Sequence, residues 1–566
     1  MGMRHAKPTV RLVFVALVGV WCGGVARMVL AEAGERAGGE LAVVCDADRD
    51  GLLTRADMAA AEAGGAALVM ANRDDDDRDG RPDADDERVN GPADAADLVP
   101  LRITVPRAAR RLTISCAAAP LRFFRETPAG WRHLGLHEAE IAIDGEQPDA
   151  GPAGEVTLHV ESCSWAGLPA AWSGRAAVEV TAVDGDGQPL ATTSARYDVA
   201  PVTLLPATAP ATEVFIASGH YDNAAFLKNL QEILGTIDVP LAVHPTARWQ
   251  EMWMQDTMEI GITAIPGSHM HVVLAGLRAA DSVPPTLLGP DTAVAEVASP
   301  RTLKGGDAWA DWYGNLEVSP ATAAHSRGRV IHGRNRLTGE SFHPDVVAFL
   351  AAQSAQPPIW IDTSWLMIKH ADEIVTFLPG KDGRGVLLVP DPLEGLALAG
   401  DEGMPEAVAS RRREANARIA RVIEAMLGGG EAPARSGAVD AEESAAGGLL
   451  GLLGLERERV IRLPCAFDVP SEGLLADGSV TNASSVWSNP VNALVINGTV
   501  ICGDAAMPDR VREVCRERFL AAGADRVEFI DDSVYQKNHG NVHCATNARR
   551  SDAKEAQARQ QNPPLP

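Results

Sequence analysis

The chain has 566 residues, 46% of them hydrophobic and 22% charged, with a formal net charge of -25. That is too long for one ordinary domain and leaves ample chain to bury a full core. The negative balance excludes a protein that neutralises phosphates along a nucleic acid; it suits a binder of calcium or of a basic polypeptide, and equally a solvated acidic surface.

Residues 1–33 read as a signal peptide. Arg4, His5, Lys7 and Arg11 precede an apolar run from Leu12 to Ala26, and small residues follow at Ala31 and Ala33. The run is shorter than the about 20 residues a membrane helix needs, and an uncleaved anchor is the alternative. No later stretch reaches spanning length without charges. The expectation is a secreted or periplasmic protein with no stable membrane span after cleavage. Cleavage would leave Cys45, Cys116, Cys163, Cys465, Cys502, Cys515 and Cys544, an odd set. In an oxidising compartment at least one of them stays free or pairs between chains.

Residues 34–203 divide into acidic loops and strands. Asp46, Asp48, Asp50, Gly51 and Asp57 have the spacing of a calcium loop, and Asp75, Asp77, Asp79, Gly80 and Asp86 repeat it. A disordered acidic linker would share the composition, but two matches so close together favour calcium. Beyond them, 101–105, 138–143, 156–160 and 177–183 alternate apolar with polar residues, and turn formers follow at 144–148 and 184–187. Short strands broken in this way predict a β-sandwich.

A proline-rich joint, Pro201 to Pro210, opens a segment of different texture. From residue 204 to the C-terminus, apolar strands such as 214–217 alternate with helical stretches such as 224–234, the pattern of an α/β domain. A charged helix over 406–426 and a Gly/Ala-rich stretch over 428–448 interrupt it, the second reading as a surface insertion.

Three separated patches in this segment carry reactive side chains: Trp253 to Glu259, Lys369 to Glu373, and His539 to Asn547. Singly, a His-x-Asp is more often a surface pair, and a lone cysteine a small buried hydrophobe. Together they match one reaction. A guanidinium ion is flat and cationic with five N–H donors, so two carboxylates must face it. Attack on its central carbon needs a nucleophile strong near neutral pH, which a thiolate is. Expulsion of ammonia needs a proton donor, which histidine supplies.

These patches resemble those of the protein-arginine deiminases, within the guanidine-modifying superfamily. The family's W-x-Q-D-x-M-E-x-G, H-x-D-E and V-H-C-x-T-N stand here, in order, at Trp253 to Gly261, His370 to Glu373 and Val542 to Asn547. Phe226-Leu227-Lys228, Gly289-Pro290-Asp291 and Gly314 to Pro320 extend the likeness, which covers about 200–550. It implies a five-bladed α/β propeller (pentein) as the catalytic domain, preceded by an all-β immunoglobulin-like sandwich with calcium-binding loops. It implies Cys544 as nucleophile, His370 as general acid and then base, and Asp256 and Asp372 as guanidinium ligands. Trp253 would line the channel for the arginine stem, and Arg278 falls near the family's contacts to the substrate backbone. A further backbone-binding arginine of the family is replaced by Asn538.

Calcium (Ca2+) is the implied cofactor. Gln255, Glu259 and Glu317, with the carbonyls of Tyr313 and Leu316, match the family's site beneath the active centre. The adjacent site looks lost, its ligands falling at Thr257, Ala275, Gly276 and Ala279, which cannot form a hard-ion shell. In the acidic region Asn72, Asp74, Asp76, Asp94 and Asp97 resemble family ligands, in a register that competes with the loop spacing. Only about 170 residues separate the expected signal from the catalytic part, room for roughly one domain, so the family's cupredoxin-like domain is expected to be missing. Three functional readings stay open: a calcium-dependent deiminase of arginine in proteins or peptides, a hydrolase of free arginine or agmatine, and a non-catalytic calcium-binding surface protein.

Overall fold

Alternating burial builds the amino-terminal half. Val99–Thr104 buries every second residue, and Glu138–Ala142 does the same, as expected when a sheet has one face on a core and one on solvent. The computed structural model describes residues 40–48, 53, 55–143, 154–219, 222–246, 250–278, 282–400, 403–428, 443–444 and 448–552. The expected signal segment and Asp50 lie outside these. Two five-stranded sheets result. One runs Ala42–Cys45, Val99–Thr104, Glu155–Ser162, Leu121–Thr127, Gly130–Leu136; the other runs Ala67–Val69, Pro189–Val199, Arg175–Val183, Arg111–Ser115, Glu138–Ala142. Leu101, Ile103, Leu158 and Val160 of the first share one core with Leu112, Ile114, Val178, Val180 and Tyr197 of the second. The expected sandwich is present. Six of its ten strands escape a strict alternation rule; Leu121–Thr127, for example, buries four residues in succession.

The proline-rich joint is stitched to the second half, since Thr203–Leu204 pairs with the strand Met258–Ile265. Beyond it, one plan recurs five times: an antiparallel pair whose second strand takes a parallel third. The sets are Met258–Ile265, Ser268–Ala275 and Thr292–Ala295; Leu316–Val318, Val330–Arg334 and Ile359–Asp362; Thr376–Pro379, Gly385–Asp391 and Val460–Pro464; and Leu494–Ile496, Thr499–Gly503 and Arg526–Ile530. In the fifth, Thr546–Arg550 pairs with Ala211–Ser218, which pairs with Leu241–Pro245. The last strand of the body thus closes the sheet that its first strands opened.

The expected helices are present as Ala224–Gly235 and Glu406–Leu427, and Glu443–Ser444, within the expected insertion, joins the edge of the second set. No helix among the described residues is long and apolar enough to cross a membrane. None of the seven cysteines from Cys45 onward forms a disulfide.

Candidate active site

The first strand of each of the five sets is preceded by a tight turn, and these turns meet. They are Met254–Thr257, Tyr313–Asn315, Ala371–Glu373, the bend at Asn489–Asn492, and Val542–Ala545. The first touches the second, the second the third, and the fifth returns to the first. The bend completes the circle through its asparagines: Asn489 Nδ2 donates to the Glu373 carbonyl at 2.8 Å and Asn492 Nδ2 to that of Asp372 at 3.3 Å. Asn492 Oδ1 accepts the Cys544 N–H at 3.2 Å. Sequence reasoning missed both asparagines. The signal available was positional, because Asn489-Pro490-Val491-Asn492 precedes an apolar strand as the other site turns do.

Asp256, His370, Asp372 and Cys544 are therefore brought together and buried, none more than 5% exposed. Cys544 Sγ lies 3.4 Å from Asp372 Oδ2. His370 Nδ1 lies 3.5 Å from Asp256 Oδ1, and that oxygen accepts the Gly314 N–H at 3.0 Å. His370 Nε2 lies 2.9 Å from the Trp309 carbonyl, which can only accept, so Nε2 carries a proton and Nδ1 is the atom turned inward. Gly314 marks the common point. A methyl there would stand 2.6 Å from both Asp256 Oδ1 and His370 Nδ1 and 3.3 Å from Asp372 Oδ2. Asp372 Oδ1 and His370 Nδ1 are buried with no hydrogen-bond partner, a costly condition that a ligand rich in N–H groups and charge would relieve.

Burial and crowded carboxylates favour the protonated forms of the acidic groups here. Burial, then the charges of Asp372, Asp256 and Glu373, push the Cys544 thiol well above its usual range. Burial likewise raises Asp256, against the pull of His370 and Arg278. His543 is held up although burial opposes its charge, because Nδ1 bonds Asp372 Oδ2 at 2.9 Å and Glu317 stands nearby.

An open cavity of about 260 Å³ reaches Cys544 and Glu373 past Met367, Ser484, His539 and Gly540. Asp256, His370 and Asp372 pack behind it. Trp253 is buried under Gly540, whose Cα leaves no room for a side chain against the indole, so it supports the channel wall from below. Asn538 Nδ2 donates to the Val534 carbonyl at 2.9 Å, and its neighbours Lys537 and His539 line the cavity. The Arg278 guanidinium lies 5.0 Å from the Trp312 ring centre and bonds Thr257 Oγ1.

Two regions fit a hard cation. Under the centre, Gln255, Glu259, Leu316 and Glu317 line a cavity of about 40 Å³ together with His543, Asn547 and Arg550, which sequence reasoning had not placed there. Burial and the Glu317 charge raise Glu259 to about 8; burial raises Glu317 to about 7, with His543 opposing. Glu317 Oε1 has no hydrogen-bond partner. The Tyr313 carbonyl accepts the Leu316 N–H, and Tyr313 is not among the lining residues.

In the acidic loops each of the two competing registers brings together only part of its expected set. Asp74, Asp76 and Asp97 place oxygens within 4.8 Å of one another, and so do Asp75, Asp77 and Asp83. Asp83, brought in by the turn Asp83–Asp85, takes the place expected of Asp86, which instead accepts the Arg88 N–H at 2.7 Å. Asp79 serves the turn, its N–H donating to Asp75 Oδ1 at 2.9 Å. Asn72 Nδ2 donates to Asp94 Oδ1 at 2.8 Å, leaving Asn72 Oδ1 unpartnered. Asp46, Asp48 and Asp57 form a third group. The Asp291 N–H donates to Asp74 Oδ2 at 3.1 Å, tying these loops to the first repeated sheet, a contact the sequence had not assigned.

The sequence profile of the Protein-arginine deiminase (PAD) family matches residues 189–555. The chain belongs to the protein-arginine deiminase family. It is 26% identical over 465 residues to protein-arginine deiminase type-3 of Rattus norvegicus, covering 77% of this chain and 64% of that one. It is 27% identical over 384 residues to the type-4 enzyme of Homo sapiens, covering 63% of this chain and 55% of that one. The chain thus spans less than two thirds of the length of these relatives. Among solved structures, an agmatine deiminase of Enterococcus faecalis matches 62% of this chain and 96% of its own at 12% identity, with a TM-score of 0.36.

Proposed function

We propose that this deiminase-family protein hydrolyses arginine side chains in polypeptides to citrulline and ammonia, with Cys544 as nucleophile, and that it needs calcium to do so. The observation that carries the reading is the convergence of His370 Nδ1 and the two aspartates about Gly314, with Cys544 Sγ 3.4 Å from Asp372 Oδ2 and Asp372 Oδ1 buried and unpartnered.

Admitting a guanidinium requires the packed trio behind the cavity to part around it, Asp256 and Asp372 taking its N–H groups. The cation between them lowers the cost of ionising Cys544, reversing the effect of the carboxylates on the empty site. The thiol proton passes to His370 Nδ1, and the thiolate so formed bonds the guanidinium carbon. His370 Nδ1 gives its proton to the departing nitrogen, the C–N bond breaks and ammonia leaves, with the carbon held on sulfur. His370 then takes a proton from water, whose oxygen bonds the carbon; the C–S bond breaks and citrulline is released.

Calcium fits the pocket under the centre, with Gln255, Glu259, Glu317 and the Leu316 carbonyl as its holders on the lining given above. The Tyr313 carbonyl joins them on the family likeness, and the Asp74 group is a second location. Bound there, calcium supplies charge that neutralises buried carboxylates. The five repeated sheets read as the blades of a five-bladed α/β propeller, and the paired sheets as the immunoglobulin-like domain. We take residues 34–203 and 204–566 as the two functional units. Export rests on the pattern of residues 1–33.

The test is citrulline release from an arginine peptide, with calcium and then with chelator. We expect release only with calcium, and none from Cys544→Ala, whose calcium-stabilised melting temperature should match wild type. An active Cys544→Ala variant would remove the mechanism. Turnover of free arginine or agmatine in preference to the peptide would favour the small-guanidine reading.

A further inference from the structure

We propose that a second pocket, beside the catalytic cavity, binds an aromatic or large aliphatic side chain of the polypeptide that carries the target arginine. The inference rests on the deiminase reading of Cys544 and says which polypeptides that site prefers.

A cavity of about 650 Å³ adjoins the catalytic one and shares with it Met367, Asp468 and Ser484. These three form a sill between the two. Asp468 and Ser484 face each other across the two-stranded sheet Phe467–Asp468 and Ser484–Ser485, and Ser484 Oγ lies 3.3 Å from Met367 Sδ. Beyond the sill stand Trp309, Val408, Val469 and Pro470. Both walls are fixed. Trp309 offers the carbonyl that holds His370 Nε2, so the indole is mounted on the residue that anchors the imidazole. The opposite wall is the first turns of the helix Glu406–Leu427. Arg412 Nε and Nη2 grip the Asp468 carboxylate at 2.5 and 2.7 Å, and Arg411 Nε donates to the Val469 carbonyl at 3.1 Å.

These bonds decide what the pocket prefers. The carboxylate on the sill is matched by a two-pronged guanidinium, and Glu472 at the rim is exposed to solvent. Beside the polar Arg411, Asn482 and Ser484, the lining offers a ligand an indole, a thioether, two valines and a proline. Such a lining gains most from burying apolar surface. The catalytic cavity is sized for an arginine stem; the adjoining one has room for a ring and some backbone. A free guanidine filling the first cavity would leave the second unused. A peptide crossing the sill would fill both.

The test uses wild-type protein with calcium and three kinds of substrate: acetyl-arginine methylamide, a glycine-flanked arginine peptide, and the same peptide with one Phe or one Asp placed in turn at each of three positions either side. We expect Phe at one position to raise kcat/KM about tenfold over Gly, mainly through KM, with no gain from Asp. Val408→Trp, on the partly exposed helix face, should fill the pocket and erase that gain while acetyl-arginine methylamide is turned over as before. Equal kcat/KM for Phe and Gly at every position overturns the pocket and leaves the deiminase reading standing. So does a Val408→Trp variant that slows the short substrate as much as the Phe peptide. Absence of citrulline from every substrate overturns the underlying reading itself.

Discussion

At the candidate active site Asp256 and Asp372 face His370, His543 and Cys544 across tight turns, whereas the clustered aspartates between Asn72 and Asp97 face mainly one another. Both regions bury carboxylates, but their balance differs. The central ones have imidazoles within 3.5 Å and an oxygen left open for a flat, N–H-rich cation. In the loops, burial and the Asp76 charge raise Asp74 to about 7, and burial raises Asp83 to about 7. Arg122 there pairs with Glu161 and Arg73 with Asp85, neither of them a member of the two clustered groups. A compact hard ion with many oxygen ligands answers that arrangement, and a planar guanidinium does not. The lesson is that the same side chain, buried twice, acquires different chemistry from what else is fixed around it.

The largest effect that would sharpen this contrast is Asp372→Asn. Removing one charged partner of a desolvated pair should lower kcat/KM about a thousandfold, while Asp74→Asn should leave kcat/KM near wild type at saturating calcium and shift only the calcium midpoint. Equal losses in the two variants would erase the distinction. Gly314→Ala comes next. It places a methyl among the reacting groups, and a loss of about a hundredfold is expected, as for a misplacement of about 1 Å, with a lowered melting temperature from the overpacking.

A third measurement follows the thiol. Inactivation by iodoacetamide in the absence of substrate should rise with pH to a midpoint above that of an ordinary cysteine thiol, given the burial and charges that raise Cys544. Asp372→Asn should lower that midpoint even as it abolishes turnover; a midpoint below 8 in wild type would contradict the charge balance described.

The smallest expected effect is on stability. A carboxyl raised by folding stabilises fully below its unfolded value and loses that contribution as pH climbs through its folded value. For Asp74, Asp83 and Glu317 at about 7 and Glu259 at about 8, the window runs upward from about pH 4, where unfolded carboxyls titrate. The melting temperature of chelated protein should fall across it by a few degrees, and saturating calcium should flatten the slope. A melting temperature that rises with pH in chelator would count against both buried groups being uncompensated.

The sequence by itself determined the chemistry available: Cys544, His370 and the two aspartates are carried by local motifs whose residue types suit one reaction. It also determined the two textures of the chain, because period-two alternation and strand–helix alternation are local properties. Only the tertiary structure decided the rest. Asn489, Asn492 and Gly314 acquire meaning from a ring that joins five turns up to 291 residues apart, and no local pattern encodes that closure. The loop registers were undecidable in sequence because irregular backbone, whose course no local pattern fixes, sends the neighbours Asp74 and Asp75 to different groups. Asp83 displaced Asp86 for a related reason: a short turn, not the count of residues, sets which carboxylate returns to the cluster.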